Sequence, residues 1–190
     1  FPIYFIIIAI SVGVGAGTNT LIGNSIGEKK ENEASLYVAQ SLIFAVVISL
    51  IVTFVGISSS DYLLQLLGSS PENIVLTREY LDIIFFCTVI VIIQVSLNGT
   101  LNAQGDTKSY RNVLIFTFFL NIVLNPIFIF GFSVIPAYGI SGIAIATVIC
   151  QLLGTIYLAQ KVYCCKLKEY LYLKCFIPKI NFLGNLTYQS

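Results

Sequence analysis

Apolar residues run along the chain in five long blocks separated by short polar stretches. They lie at Phe1 to about Ile26, about Ala34 to Ile57, about Val75 to Ala103, Asn112 to Phe132, and about Ile140 to Tyr163. A helix needs about 20 apolar residues to cross roughly 30 Å of hydrocarbon, so each block is long enough to span a bilayer with some tilt. The connectors GEKKENEAS (Gly27–Ser35), QGDTKSYR (Gln104–Arg111) and SVIPAYG (Ser133–Gly139) are short and turn-forming. The stretch Asp61–Ile74 alternates apolar and polar residues and predicts a short interfacial helix. Its Ser69-Ser70-Pro71-Glu72 has the serine cap, early proline and first-turn acid that open a helix. The pattern predicts an all-α, polytopic transmembrane bundle over residues 1–165, followed by a cytoplasmic segment over 166–190.

Composition and charge sharpen this picture. The 190-residue chain is 57% hydrophobic and 10% charged, whereas soluble domains carry about a quarter charged residues. A water-soluble globule is excluded on that ground. Five spans make the connectors alternate between two sides of the membrane. Lys29, Lys30, Lys108, Arg111, Lys161, Lys166, Lys168, Lys174 and Lys179 then fall on one side, with Arg78 on the other. Positive charge gathers in cytoplasmic loops, so the first span is expected to run from outside to inside. The chain contains no Met and starts within an apolar block, which reads as an internal fragment with at least one earlier span missing.

Candidate chemistry is confined to a few residues. The chain has no His, its five cysteines form no C-x-x-C pair, and no acid pair sits where acid–base work would need one. No hydrolytic or redox centre is predicted, and the chain is not read as an enzyme. GVGAG (Gly13–Gly17) lies within a span with no strand before it, so its small residues are better suited to close helix approach than to a nucleotide. Asp82 and Glu79 fall at the outer start of the third block and are expected to be solvated beside Arg78. The informative residues are polar ones inside the blocks: Thr18, Asn19, Asn24, Gln40, Gln94, Asn98, Asn102, Asn121, Asn125, Thr147 and Gln151. Each must find a partner or line a wet cavity. In NIVLNP, Asn121 and Asn125 share one helix face, and Pro126 removes a backbone hydrogen bond. A bend there would free the Ile122 carbonyl beside two carboxamide oxygens. Neutral oxygens at a bent helix suit a transported cation or a protonatable partner.

The order of the pieces resembles the first half of the multidrug and toxic compound extrusion family, from its second span to the loop after its sixth. The resemblance rests on GVGAGTNTLIGNSIGEKKENEA, LLQLLGSSPENIVLTREYL, LNGTLNAQGDTKSYRNV with its G-D-T-K turn, NIVLNPIFIFG and YGISGIAIATVICQ. It implies a protein of about twelve spans in two lobes, with residues 166–190 as a truncated inter-lobe linker. The implied activity is secondary antiport: organic cations or other amphipathic compounds leave the cell in exchange for Na⁺ or H⁺. In members with an ion site in this lobe, a first-span aspartate works with fifth-span polar residues and a sixth-span threonine. Asn121, Asn125 and Thr147 match those positions as possible Na⁺ ligands, with Pro126 at the bend. Asn125 stands where some members carry aspartate, and an amide cannot be protonated there. The implied partners are the lipid bilayer and a small-molecule substrate, with no nucleic acid, no cofactor beyond the coupling ion, and a monomer once complete. A lipid-linked oligosaccharide flippase of related fold and an inactive half-transporter or scaffold are the competing readings.

Overall fold

The computed structural model describes residues 2–66, 71–131, 136 and 139–164. They form five helices: α1 (Pro2–Gly27), α2 (Glu31–Leu66), α3 (Pro71–Ala103), α4 (Lys108–Phe130) and α5 (Ile140–Tyr163). Each contains a stretch of at least 23 residues that is apolar enough to cross a membrane. Among the described residues there is no strand. The fold is therefore a bundle of transmembrane helices. The cytoplasmic segment expected at 166–190 lies outside the described residues.

Two helices run further than the hydrophobic pattern predicts. α2 continues through Ser58, Ser59, Ser60 and Asp61 to Leu66, where a separate interfacial helix was expected. α4 starts at Lys108, before the apolar block begins. A helix already formed carries polar residues past the membrane boundary, because its backbone bonds are satisfied internally in either medium. The start of α3 at Pro71 agrees with proline's preference for the first helical turn.

α3 is the central helix. It packs against α1, α2 and α5, while α1 also touches α2, and α4 rests chiefly on α5. Half of the α3 span is buried, but only 6% of the α4 span is, so α4 forms one wall of the bundle. Small residues let the backbones approach where packing is tightest. A Cβ on Gly99 of α3 would meet the Gly15 carbonyl of α1, and one on Gly15 would meet Val95 of α3. Gly142 of α5 lies against the Phe128 carbonyl of α4 in the same way. Thr53 of α2 adds a cross-helix bond, its hydroxyl donating to the Phe85 carbonyl at 2.8 Å.

The alternation of helices brings the α1–α2 turn, the α3–α4 turn and the end of α5 to one end of the bundle. There Ile22, Ala34, Val38, Leu97, Leu101, Val113, Leu158 and Val162 form a continuous core from all five helices. Lys29, Lys30, Lys108, Arg111 and Lys161 stand exposed around it. Lys30 bridges Glu28 at 2.7 Å and Glu33 at 3.9 Å across the α1–α2 turn.

The G-D-T-K turn has a clear structural task. Gly105 takes the left-handed conformation (φ 83°) that ends α3 and reverses the chain. Asp106 then accepts the Ser109 backbone N–H at 3.0 Å and the Ser109 hydroxyl at 2.6 Å, which closes the first turn of α4. These two donors, the hydroxyl foremost, hold the Asp106 carboxyl below its ordinary value of 3.8. The folded pKa is depressed, so the contribution is complete above the unfolded value and fades as pH falls from about 4 toward the folded pKa. Asp106→Ala is expected to cost about 1 kcal/mol at neutral pH. Thermal denaturation in detergent should show a gap between wild type and variant at pH 7 that narrows as the wild type is acidified below pH 4. A gap that stayed constant into acid would assign the loss to something other than the carboxylate.

Candidate functional site

The two asparagines that share a face of α4 meet as the helical spacing requires. Asn125 donates from Nδ2 to Asn121 Oδ1 at 2.6 Å. Asn121 in turn points its own amide at α5, with Nδ2 3.8 Å from the Cys150 sulfur. The remaining oxygen of the pair, Asn125 Oδ1, is buried and has no hydrogen-bond partner. Leaving a buried carbonyl oxygen unpaired costs about 1–3 kcal/mol, so this atom marks a place where a donor or a cation would be welcome. Sequence reasoning had no means of finding Cys150, because a cysteine inside an apolar run carries no signal.

Thr147 is placed differently. Its hydroxyl donates to the Ile143 carbonyl of its own helix at 2.9 Å. With Gln151, it lines a small cavity of about 10 Å³ whose other walls include Ile7 of α1 and Thr88 and Val91 of α3. That is room for about one water molecule. The expected ligand set is thus divided: Asn121 and Asn125 stand between α4 and α5, and Thr147 faces α1 and α3. A threonine hydroxyl bonded back to its own helix keeps its lone pairs free, so Thr147 can still accept or coordinate through oxygen.

Pro126 lies within α4, which continues past it to Phe130. Its ring is exposed. The residue therefore weakens the backbone ladder next to the asparagine pair without itself lining that site.

Other polar residues of the spans sort into two groups. Thr18 and Gln40 are fully buried, and Gln94 nearly so, with its Nε2 against Gly154 of α5. Gln94 thus reaches from α3 to α5, while the Thr18 hydroxyl donates to the Val14 carbonyl of its own helix at 2.8 Å. Asn98 Oδ1 on α3 is buried without a partner, a second orphaned amide oxygen. Asn19 and Asn24 of α1 are exposed on the surface of the bundle. In a membrane such groups need water or another protein segment against them. Asp82 departs from its expected solvated position. α2 lies along this part of α3, as the Thr53–Phe85 bond shows, and Asp82, one turn before Phe85, has its Oδ1 buried and unpartnered.

A bundle of five spans, with a glycine-to-glycine crossing of its first and third helices and a polar pair facing its last, can be compared with known proteins. The family model described as MatE matches residues 1–127. The chain belongs to the MatE family. Among curated relatives it is similar to "Probable multidrug resistance protein YoeA" of Bacillus subtilis, 31% identical over 150 residues. That match takes in 78% of this chain and 32% of the relative. It is also similar to a "FAD transporter" of Shewanella oneidensis, 29% identical over 147 residues, with 77% of this chain and 32% of the relative covered. The fold matches a multidrug resistance MATE family transporter of the MOP superfamily solved in an inward-facing conformation, with a TM-score of 0.88 and 26% identity. All of this chain superposes on 42% of that one. The MatE chain therefore spans about a third of the length of these curated relatives. It is a multi-pass cell-membrane protein.

Proposed function

We propose that this MatE chain supplies one lobe of a secondary antiporter that expels organic cations or other amphipathic compounds in exchange for Na⁺ or H⁺. The observation that carries the reading is the unpaired, buried Oδ1 of Asn125 beside Asn121, in an otherwise largely apolar span. An amide oxygen without a donor in low dielectric attracts a small cation. The Asn121 oxygen, already accepting from Asn125, is the second candidate ligand. Thr147 would join them only if α5 turned or slid against α4, a movement of the kind that alternating access needs. With Asn125 neutral, the charge that balances a bound ion has to come from another span, and Na⁺ fits two amide oxygens better than a proton does. Names of relatives support export of multidrug type, while the FAD transporter shows that relatives of this chain also carry a large anionic cargo.

A flippase for a lipid pyrophosphate would need basic residues turned into the bundle. The described Lys and Arg side chains are all exposed at its ends, so that reading gains nothing here. The decisive test loads membrane vesicles containing the complete protein with a fluorescent organic cation and imposes either a Na⁺ or a pH gradient. Efflux driven by one of the gradients supports the antiporter; retention of the dye under both would favour an inactive half-transporter or scaffold.

A further inference from the structure

A cleft of about 300 Å³ runs between α4 and α5 near the basic end of the bundle, lined by Asn112, Val113, Phe116, Leu153, Gly154 and Tyr157. Phe116 and Leu153 are 57% and 44% exposed, so the cleft opens sideways, out of the five-helix bundle. Gly154, backed by Gln94 and Val113, leaves the floor without a side chain. Val113, Phe116, Leu153 and Tyr157 give the cleft hydrocarbon and aromatic walls, and Asn112 adds an amide. Asn112 lies one turn into α4, and Lys108 is one turn before it on the neighbouring flank, roughly 6 Å along the axis. On the opposite wall Lys161 Nζ sits 5.7 Å from the ring centroid of Tyr157, which lines the cleft. Asp106 shares this end and feels the Lys161 charge, but its carboxylate is engaged by both Ser109 donors. Arg111 adds a further positive charge nearby, exposed on the adjoining face of α4.

We propose that this cleft is a binding site for one anionic phospholipid. An acyl chain would lie along Val113, Phe116 and Leu153. The phosphate would sit between Lys108 and Lys161, within reach of the Asn112 amide. The charge complementarity decides the occupant. A second transmembrane helix would fill the apolar part equally well but would leave two lysines at the membrane surface unmatched, and a neutral lipid would leave them so too. Basic residues capping a groove between spans are the arrangement that favours anionic headgroups. The site is separate from the asparagine pair, which lies deeper along α4.

The chain contains no Trp, which makes a clean optical test possible. Phe116→Trp places a single indole in the cleft, and Val47→Trp places one on the exposed face of α2. Each variant is reconstituted in phosphatidylcholine vesicles in which either phosphatidylglycerol or phosphatidylcholine, at equal mole fraction, carries brominated acyl chains. The indole at position 116 should be quenched more strongly by the anionic lipid, and that at position 47 equally by both. Lys108→Gln and Lys161→Gln should each lower the preference at position 116 by about fivefold. Equal quenching by the two lipids at position 116 would overturn the proposal. So would an indole there that neither lipid reaches while position 47 is quenched, since another protein segment would then fill the cleft. A preference that survives both lysine changes would overturn it as well. The unlabelled chain offers a second readout that changes no apolar residue. Phosphatidylglycerol should copurify with it from mixed vesicles in excess over phosphatidylcholine, and the excess should vanish in the double lysine variant.

Discussion

Gly99→Ala is expected to destabilise the crossing of α1 and α3 strongly. The new Cβ would lie 2.5 Å from the Gly15 carbonyl oxygen, 3.2 Å from Thr18 Cβ and 3.4 Å from the Asn19 nitrogen. The first and last of these are backbone atoms of α1, so no rotamer change relieves the contact. α1 as a whole has to retreat from α3. Overpacking of this kind costs about 1–3 kcal/mol, and here it opens the seam along which Val14, Ile92 and their neighbours pack. Gly15→Ala should cost less, because its nearest obstacle is a Val95 methyl at 2.6 Å, with the Val95 carbonyl at 3.2 Å. Gly23→Ala, on the same helix with nothing within 4 Å, should be neutral or stabilising by up to about 1 kcal/mol, since alanine is the better helix former. The measurement is the temperature at which half of the detergent-solubilised chain leaves its monodisperse peak. The expected order is Gly23→Ala at or above wild type, then Gly15→Ala, then Gly99→Ala lowest. Equal values for Gly23→Ala and Gly99→Ala would mean that α1 and α3 do not cross where the structure has them.

Much of this architecture can be read from hydropathy, because the membrane imposes a simple rule: backbone polar groups in hydrocarbon must be bonded within helices. Five apolar blocks therefore mean five helices. What hydropathy reports, however, is where lipid contact ends, not where a helix ends. That is why α2 runs on to Leu66 through three serines and an aspartate, and why α4 begins four residues early at Lys108. The site was readable to the extent that it depends on one helix. Spacing of four residues put Asn121 and Asn125 side by side, and they are bonded to each other. Thr147 depends on how α5 is rotated against its neighbours, and nothing local encodes that rotation. Its hydroxyl is turned to its own helix and its surroundings belong to α1 and α3. Asp82 shows the same limit from the other direction. An acid at a span's outer start looks solvated until the packing of α2 along α3 is known. The roles of Gly15 and Gly99 were half visible, since small residues in a span suggest a close approach but do not name the partner.

Under the proposed antiport, Asn125→Leu should raise the Na⁺ concentration needed for half-maximal efflux by the complete protein about tenfold, and Asn125→Asp should lower it. The unpaired oxygen of the pair sets both directions. In the wild-type chain the Asn125 amide spends its N–H on Asn121 and leaves Oδ1 buried without a donor. Leucine has similar volume but no oxygen, so the loss of a ligand is separated from the opening of a cavity. A neutral hydrogen-bond-strength interaction of about 1–1.5 kcal/mol corresponds to roughly a tenfold rise in the Na⁺ concentration needed for half-maximal efflux. Aspartate keeps an oxygen at the same place and adds a negative charge. It should lower that concentration, and it should also make transport pH-dependent, since the new carboxyl must ionise to hold the cation. The activity of Asn125→Asp should therefore fall as the medium is acidified. Asn121→Leu provides the internal check. It takes away both the second oxygen and the acceptor that orients Asn125, so its effect should at least equal that of Asn125→Leu, and combining the two should add little. If Asn125→Leu left both the ion dependence and the turnover unchanged, the pair would be no more than a hydrogen-bonded brace between α4 and α5, and the coupling ion would have to bind elsewhere in the protein. If instead turnover fell with the half-saturating Na⁺ concentration unaltered, the pair would serve the movement of α4 rather than the ion, and Pro126, beside it on the weakened stretch of helix, would be the next residue to change.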